Sequence, residues 1–329
     1  MSLLAPTLQS FFTDRLMRQR QASPHTIAAY RDTFRLLLAF ATKRLRIAPS
    51  QLLVDHLHAP LVAAFLDDLE HSRKNSVRTR NTRLAAIRSL FRYAALRHPE
   101  HAAVIERVLA IPPKCFERSL VSFLTEAEVA ALLAAPDRTT WTGRRDHAVL
   151  ELALQTGLRV SELIGLRCAD VHLGVGPHVS CLGKGRKQRI TPLTRGVVDV
   201  LRVWLAERGG QAEQPLFVTR AGRALSRDAL EHRLAKHVEN AANAAPSLHR
   251  KKVTLHGLRH TAAMRLLRAG VDTSVIALWL GHEQVETTQI YIHADLSIKE
   301  RALARTAPAG TRPGRYQPGD SLVAFLESL

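Results

Sequence analysis

The sequence predicts a mainly α-helical chain of two domains, with a small antiparallel β-sheet in the second domain. Its 329 residues are enough for about two domains of ~150 residues each. Apolar residues recur at helical spacing through the N-terminal third, and short alternating segments occur only between Val171 and Pro192. Hydrophobic residues make up 46% of the chain and charged residues 23%, which excludes disordered, collagen-like and coiled-coil proteins.

The charge of the chain predicts a polyanionic partner. There are 47 Lys and Arg against 29 Asp and Glu, a formal net charge of +18. Residues 1–118 are the densest basic region, with 19 basic against 9 acidic residues. An anionic membrane would require an apolar span or a basic amphipathic anchor, and the sequence has neither, so we expect nucleic acid and no membrane.

The N-terminus predicts a cytoplasmic protein, which the expected nucleic-acid partner would make nucleoid-associated. The first 21 residues lack a basic region followed by an apolar core and a cleavage site, so we expect no secretion signal. Three widely spaced cysteines without a CxxC pair argue against a disulfide framework or a thiolate zinc site. We expect Cys115, Cys168 and Cys181 to be buried apolar thiols.

The N-terminal region is predicted to be helical throughout. One helix begins at Ser23-Pro24 and a second near Ala59-Pro60, because serine before proline and proline in the first turn are typical helix starts. The first of these helices has apolar residues at helical spacing, namely Ile27, Tyr30, Phe34, Leu37 and Leu38.

The segment from His71 to Pro99 predicts a helix with one apolar and one basic face. Its apolar stripe consists of Val77, Leu84, Ile87, Leu90 and Phe91. Its bases are Arg73, Lys74, Arg78, Arg80, Arg83 and Arg88. A solvated charged face is one interpretation, but the scarcity of acids among these bases favours contact with DNA phosphates.

The paired prolines of Ile111-Pro112-Pro113-Lys114 predict a linker between the domains. We therefore divide the chain into an N-terminal domain (1–112), a linker (113–118), a second domain (119–305) and a flexible tail with a short apolar helix (306–329). The second domain opens with a capping box at Thr125 and Glu128, which predicts a helix that continues through Leu133.

The rest of the second domain predicts helices around a short sheet. A helix from Arg144 to Thr156 ends before Gly157. Strands are expected at 171–173, 179–182 and 189–192, with the sequence GKGRK as a hairpin turn between the last two. Gly270 and Gly281 are expected to end two later helices.

Four strings in the second domain carry residues suited to phosphate chemistry. They are TGLRVSEL (156–163), LGKGRK (182–187), LHGLRH (255–260) and LGHEQVETTQIYIH (280–293). In this order they supply Arg159, Lys184, His256 with Arg259, and His282 with Tyr291. This set, with its order and with a tyrosine nine residues after the histidine, resembles the active site of the tyrosine recombinases, the phage integrase family.

The resemblance implies a two-domain clamp around duplex DNA, with a helical core-binding domain and an α+β catalytic domain. Arg159 and Arg259 match the two catalytic arginines of the family, and His282 matches a position that donates a hydrogen bond to the same phosphate. Arginine suits this role because its planar fork donates two hydrogen bonds and stays protonated. His256 and Arg259 are three residues apart and would share a helix face.

A zinc site is the alternative for the histidines of the third string. His256 and His260 have the i, i+4 spacing of a metal site, but HGLRH lacks the glutamate of HExxH, so metal binding is not expected. Glu162 matches an acidic family position that orients the basic residues of the site.

Tyr291 matches the nucleophile of the family, since a phenolate can hold phosphate as an ester. Its ordinary pKa of ~10 requires nearby cations to help it lose the proton. Lys184 matches the hairpin lysine, expected as the general acid toward the leaving 5′ oxygen, with Lys187 as an alternative. Arg186 and Lys187 are expected to bind phosphate, and the absence of GxxxxGK[ST] excludes a P-loop.

The implied reaction is a pair of transesterifications through a 3′-phosphotyrosyl intermediate, without metal, nucleotide or other cofactor. The implied assembly is a homotetramer on two double-stranded DNA sites, alone or with sister recombinases. The apolar segment GDSLVAFLESL would dock on the next protomer or on its own domain.

Several functions remain open within this resemblance. A transposase or integrase of a mobile element is preferred, because TTQIYIHADLSIKERAL departs from the TTQIYTHV of Xer-like dimer resolvases, which are the second choice. A type IB topoisomerase uses related chemistry. A catalytically silent architectural subunit would explain the basic charge equally well, but not the presence of all six site residues.

Overall fold

The computed structural model describes residues 2–116, 122–183 and 188–281. The chain divides into two compact units, Met1–Arg118 and Ser119–Leu329. The described residues are mainly helical, and the second unit contains a three-stranded antiparallel sheet, which confirms the predicted fold class. No helix among the described ranges combines the length and the apolar character needed to span a membrane.

The N-terminal unit consists of helices joined by short 3₁₀ turns. Its helices are α1 (Leu4–Ser10), which continues as a π-helical segment (Phe11–Gln19), α2 (Pro24–Leu45), α3 (Ala59–His71), α4 (Val77–Ala95) and α5 (Ala102–Leu109). The two predicted helix starts are confirmed: the Ser23 hydroxyl accepts the Thr26 N–H at 3.2 Å, and α3 begins at Ala59.

The segment from Leu4 to Leu16 contributes buried residues to the core of this unit, which sequence analysis did not predict. Phe11 is fully buried, and its ring centroid lies 5.6 to 6.2 Å from those of Tyr30, Phe34 and Tyr93. The Leu4 N–H donates to the Leu52 carbonyl at 2.8 Å. The N-terminal segment is therefore an integral part of the helical bundle.

The second unit has seven helices in the described ranges in addition to its sheet. They are α6 (Glu126–Ala134), α7 (Trp141–Thr156), α8 (Val160–Gly165), α9 (Arg195–Arg208), α10 (Arg227–Ala242), α11 (Leu255–Arg268) and α12 (Thr273–Leu280). The capping box that starts α6 is confirmed, with the Thr125 N–H donating to Glu128 at 2.7 Å. Helix α7 begins three residues before the predicted start, because Thr140 caps it by accepting the Gly143 N–H.

The sheet is a meander of β1 (Val171–His172), β2 (His178–Leu182) and β3 (Gln188–Pro192). Cys181 pairs with Arg189 across β2 and β3. The predicted hairpin turn includes residues 184–187, which lie outside the described residues. Of the three cysteines, Cys181 is buried as expected and Cys168 is half-buried, but Cys115 is exposed because it lies on the chain that leaves the N-terminal unit.

A buried carboxylate fixes α10 to α7. Asp146 on α7 accepts from Arg145 at 2.7 and 3.0 Å and from Arg233 at 2.6 Å, and it lies 2.8 Å from His237 Nε2. Burial alone would raise the pKa of Asp146, but these hydrogen bonds and the arginine charges hold it below its ordinary value. The charge is thus retained in the core because every neighbour stabilises it.

Gly157 brings the end of α7 against α11 and α12. It has a φ of +64°, and a Cβ built there would lie 2.6 Å from Leu280 Cδ2 and 3.2 Å from Ala262 Cβ. No other residue type satisfies both the left-handed backbone and this contact. The glycine therefore sets the distance between the start of α8 and the end of α12.

We predict that Gly157→Ala lowers the free energy of unfolding of the full chain by about 3 kcal/mol, from backbone strain and overpacking together. Gly176→Ala is the matched control, since its φ is +66° and no atom of the described residues lies within 4 Å of an added Cβ. That variant should lose only about 1 kcal/mol. Urea titration followed by circular dichroism measures both, and equal losses would contradict the packing argument.

Candidate active site

Arg159 begins α8 immediately after the turn at Gly157 and Leu158. Its backbone N–H donates to Glu162 Oε2 at 2.9 Å, and its Nη1 donates to Glu162 Oε1 at 2.8 Å. Its Nη2 donates to the Gly281 carbonyl at 2.8 Å. The side chain remains 31% exposed, so a fixed guanidinium still reaches solvent.

Arg259 projects from α11 into the space between the ends of two helices. Its Nη1 donates to the Gly157 carbonyl and its Nη2 to the Leu280 carbonyl, both at 2.7 Å. These carbonyls close α7 and α12, where the helix dipoles place partial negative charge. The guanidinium is buried, and the helix ends compensate the cost of burying its charge.

Glu162 is the carboxylate at the centre of this cluster, with a side chain only 4% exposed. Burial alone would raise its pKa, but the Arg159 N–H and the guanidinium groups of Arg189 and Arg159 bring the pKa below its ordinary value. Glu162 is thus an ionised acceptor that orients arginines. Its position beside Arg159 is the one that the family resemblance led us to expect.

Arg189 is a member of the cluster that sequence analysis did not single out. It lies on β3, and its Nη1 donates to the Leu280 carbonyl at 2.8 Å while its Nη2 donates to Glu162 Oε2 at 2.9 Å. The side chain is 10% exposed, whereas its neighbour Ile190 is 60% exposed. The signal that could have found it is the period of two along β3, because Thr191 is fully buried and residue 189 shares its face.

Three guanidinium groups therefore meet one carboxylate and three backbone carbonyls. The elements that supply them are α8, β3 and α11, and the carbonyls belong to Gly157, Leu280 and Gly281. The three guanidinium groups carry more positive charge than Glu162 carries negative charge, and the cluster is open to solvent at the partly exposed Arg159. Such an arrangement is suited to bind an anionic oxygen group.

His256 is exposed near the start of α11, one turn before Arg259. Its ring centroid lies 4.2 Å from that of His260, with the rings at 68°. Within residues 2–116, 122–183 and 188–281, no three His, Cys, Asp or Glu side chains are grouped so that they could hold a metal ion.

Several predicted residues lie outside the described ranges. They are Lys184, Arg186, Lys187, His282 and Tyr291, together with the tail from residue 306. In two of the sequence strings that contain these residues, the structure describes the residues next to them. Strands β2 and β3 pair as far as Leu182 and Gln188, and Gly281, the residue before His282, accepts the hydrogen bond from Arg159.

The basic face of α4 is smaller than predicted. Arg73 and Lys74 are exposed but precede α4, Arg78 is exposed on its first turn, and Arg83 is half-buried. Burial and the neighbouring Arg73 lower the pKa of Arg83. We had also expected Arg80 and Arg88 to contact DNA phosphate, but the structure gives both of them internal partners.

Arg80 and Arg88 hold the N-terminal unit together. Arg80 is 5% exposed and lies 3.4 Å from Glu70, and Arg88 donates to the carbonyls of Leu109 and Ile111 at 2.8 and 2.6 Å. Arg80 is buried on the face of α4 that also carries Leu84, Ile87 and Phe91, and Arg88 is half-buried four residues after Leu84. Composition alone does not reveal this.

Comparison with known proteins agrees with this architecture. Residues 122–297 match the phage integrase family, and residues 10–98 match the N-terminal SAM-like domain of phage integrases. The chain belongs to the phage integrase family, the tyrosine recombinases, and is therefore a DNA recombinase by class.

Individual relatives are similar over almost the whole chain. The Sinorhizobium fredii protein y4rC, which carries the name integrase/recombinase, is 58% identical over 99% of this chain and 98% of its own length. Tyrosine recombinase XerC of Pelobacter propionicus is 33% identical over 92% of this chain and 95% of its own length.

Solved structures share the fold at lower identity. XerH site-specific recombinase bound to a palindromic difH substrate has a TM-score of 0.68 and 24% identity, over 87% of this chain and 81% of that chain. The Tn1549 transposon integrase in complex with transposon right-end DNA has a TM-score of 0.68 and 16% identity, over 92% and 99%.

We predict that Glu162→Gln destabilises the protein at pH 7 by about 3 kcal/mol, because it leaves the mostly buried guanidinium of Arg189 and the half-buried guanidinium of Arg159 without their carboxylate. The pKa of Glu162 is lowered by folding, so its contribution is fully present above the unfolded value of about 4.3 and is lost as pH falls through the folded value. The difference from wild type should therefore shrink below about pH 4.

Thermal unfolding between pH 3 and pH 7 checks this prediction. Glu126→Gln is the matched control, because that carboxylate is 63% exposed in a surface ion pair with Arg265. It should stay within about 1 kcal/mol of wild type. A difference for Glu162→Gln that does not depend on pH would contradict the assignment of an ionised, stabilising carboxylate.

Proposed function

We propose that this protein is a site-specific DNA recombinase that cuts and rejoins duplex DNA through a 3′-phosphotyrosyl bond to Tyr291. The observation that carries the proposal is the cluster of Arg159, Arg259 and Glu162 at the ends of α7 and α12. The cluster supplies preorganised donors for the charge that develops on a phosphodiester under attack. The family motifs add a lysine, a histidine and a tyrosine in the same part of the sequence, namely Lys184, His282 and Tyr291.

Arg159 and Arg259 bind the non-bridging oxygens of the scissile phosphate in this mechanism. Each already donates to backbone carbonyls, so the guanidinium planes are set before DNA arrives. Arginine keeps its proton at any working pH, so these residues stabilise charge and take no part in proton transfer. His256 and His282 add hydrogen bonds to the same phosphate.

Proton transfer falls to the remaining residues of the motif. Tyr291 gives its phenolic proton to solvent water as its oxygen attacks phosphorus and the bond from phosphorus to the 5′ oxygen breaks. The cations around the phosphate favour the phenolate. Lys184 gives a proton to the departing 5′ oxygen, and Lys187 is the alternative donor. A 5′ hydroxyl from another strand then attacks the phosphotyrosyl bond, releases the tyrosine and restores a phosphodiester.

This sequence of steps conserves the number of phosphoester bonds. It therefore requires no nucleotide as a source of energy, and in this proposal the cationic residues of the site supply the charge stabilisation that a metal ion provides in other enzymes.

Double-stranded DNA is the proposed partner. Its support is the formal net charge of +18, the exposed bases at the start of α4, and the DNA present in the XerH and Tn1549 integrase complexes. We further propose four protomers on two sites, alone or with a sister recombinase, because an exchange of two duplexes breaks four strands.

We propose a mobile element as the source of the substrate. The support is the sequence after Tyr291, which departs from the Xer-like continuation, and the 58% identity with a protein named integrase/recombinase. Dimer resolution is the second candidate, favoured by 33% identity with XerC over 92% of the chain. Reaction with element ends and with a chromosomal dimer-resolution site, side by side, distinguishes the two.

We predict that the wild-type protein, mixed with its own flanking DNA in EDTA without nucleotide, forms a covalent adduct that detergent preserves and protease removes. Tyr291→Phe should form none, because it lacks the nucleophilic oxygen. Tyr316→Phe is the matched control and should form the adduct like wild type. DNA binding without an adduct, where a known family member reacts, would favour the architectural subunit.

We predict that Arg78→Gln weakens DNA binding and lowers the slope of log K against log salt concentration by about 0.9, the value for one lost phosphate contact. Arg107→Gln removes the same charge from an exposed position on α5 and should change the slope little. Fluorescence anisotropy over a salt series measures both. Equal changes in the two variants would mean that α4 contributes to DNA binding only through its general positive charge.

A further inference from the structure

We infer that Arg189 is a positioning residue of the recombination site. It fixes Glu162 and the last turn of α12 at the same time, and through them it orients Arg159 and the chain that leads into His282. The inference rests on the proposed function, which it deepens with a residue that the family motifs did not supply.

The two ends of the Arg189 fork bind different elements. Nη1 donates to the Leu280 carbonyl on α12 and Nη2 donates to Glu162 on α8, at 2.8 and 2.9 Å. Both terminal nitrogens of its side chain, which is 10% exposed, are thus engaged by two different elements. In this inference Arg189 acts through these partners.

Both acceptors of Arg189 are shared with a proposed catalytic arginine. Glu162 Oε2 also accepts the Arg159 N–H, and the Leu280 carbonyl also accepts Arg259 Nη2. Arg159 in turn donates to Gly281, the residue after Leu280. The contacts form a closed ring from Arg189 through Glu162 and Arg159 to the end of α12 and back to Arg189.

The glycine that ends α12 gives a second, independent observation. Gly281 has a φ of +65°, and a Cβ built there would lie 2.2 Å from Arg189 Nη1. The Arg189 guanidinium therefore occupies the space beside the helix end that a side chain would fill. This contact fixes where the chain leaves α12, one residue before His282.

Arg189 also lies close in sequence to the segment that contains Lys184. It is the second residue of β3, which follows the segment with Lys184 and Lys187. Cys181 on β2 is its cross-strand partner. Strands β2 and β3, which flank the segment with the proposed general acid in the sequence, are thus joined to the same ring as the arginines.

The test compares Arg189→Gln and Arg189→Lys with Arg202→Gln. Arg202 lies on α9 in an exposed ion pair with Asp199, so its variant removes one positive charge without touching the ring. Arg189→Lys keeps the charge, but its single ammonium does not reproduce the two-pronged contact. The first readout is amide hydrogen exchange by mass spectrometry, in peptides that cover residues 157–165 and 273–281.

We expect exchange in both peptides to be at least about 10-fold faster in Arg189→Gln than in Arg202→Gln, because the ring is open. The second readout is the single-turnover rate of adduct formation at saturating DNA. It should fall by about 10- to 100-fold, as is typical when the support of a reactive group is removed. The Kd for DNA should stay within about threefold of wild type, and Arg189→Lys should recover part of the rate.

A double variant separates positioning from general destabilisation. If Arg189 acts through Glu162, the rate losses of Glu162→Gln and Arg189→Gln are not additive in the combined variant. Additive losses, or a loss that appears in Kd and not in rate, would overturn the inference, as would unchanged exchange in both peptides. Should Arg189→Gln fail to fold, Arg189→Lys answers the same questions.

The two readouts keep this inference separate from the proposed function. If the wild-type protein forms no adduct, the proposed function fails, and the exchange data alone still decide whether Arg189 holds the two segments.

Discussion

The arrangement of the second unit depends on burying guanidinium charge against the carboxyl ends of helices. Arg259 reaches the last carbonyls of α7 and α12 at once, which is possible only because Gly157 lets these helices end side by side. The partial negative charge of two helix ends, together with Glu162, offsets the cost of taking several guanidinium groups out of water. The same contacts that stabilise the fold also preorganise the arginines, so stability and activity share one set of hydrogen bonds.

Local signals in the sequence predicted the helix boundaries well. Ser23, Thr125 and Glu128, Gly157 and Gly281 were found because capping depends on neighbouring residues only. The family motif likewise pointed to Arg159, Glu162 and Arg259, which the fold brings together. These features require no knowledge of distant contacts.

Features that depend on the direction of a side chain were harder to predict. Arg80 and Arg88 lie in the same basic stretch of sequence as Arg78. They nevertheless have partners inside their unit, because their positions along α4 turn them away from the side that carries Arg78. Arg189 was missed for the related reason that Ile190, the apolar neighbour, faces outward on β3. An arginine on the buried face of a short edge strand has a specific partner, and that partner lies 91 residues away at Leu280. Long-range partners of this kind are not encoded in local spacing.

The contacts of the N-terminal segment determine when this unit can fold during synthesis on the ribosome. Ser2 donates to Glu100 at 2.9 Å, and Thr7 lies 2.8 Å from His98, so the first residues made are held by some of the last in their unit. This unit cannot close until α5, which carries the core residues Ile105 and Val108, has emerged, and the described residues of its core cluster all lie between Leu4 and Ile111. Nascent chains would therefore complete the N-terminal bundle while the arginine ring is still unsynthesised.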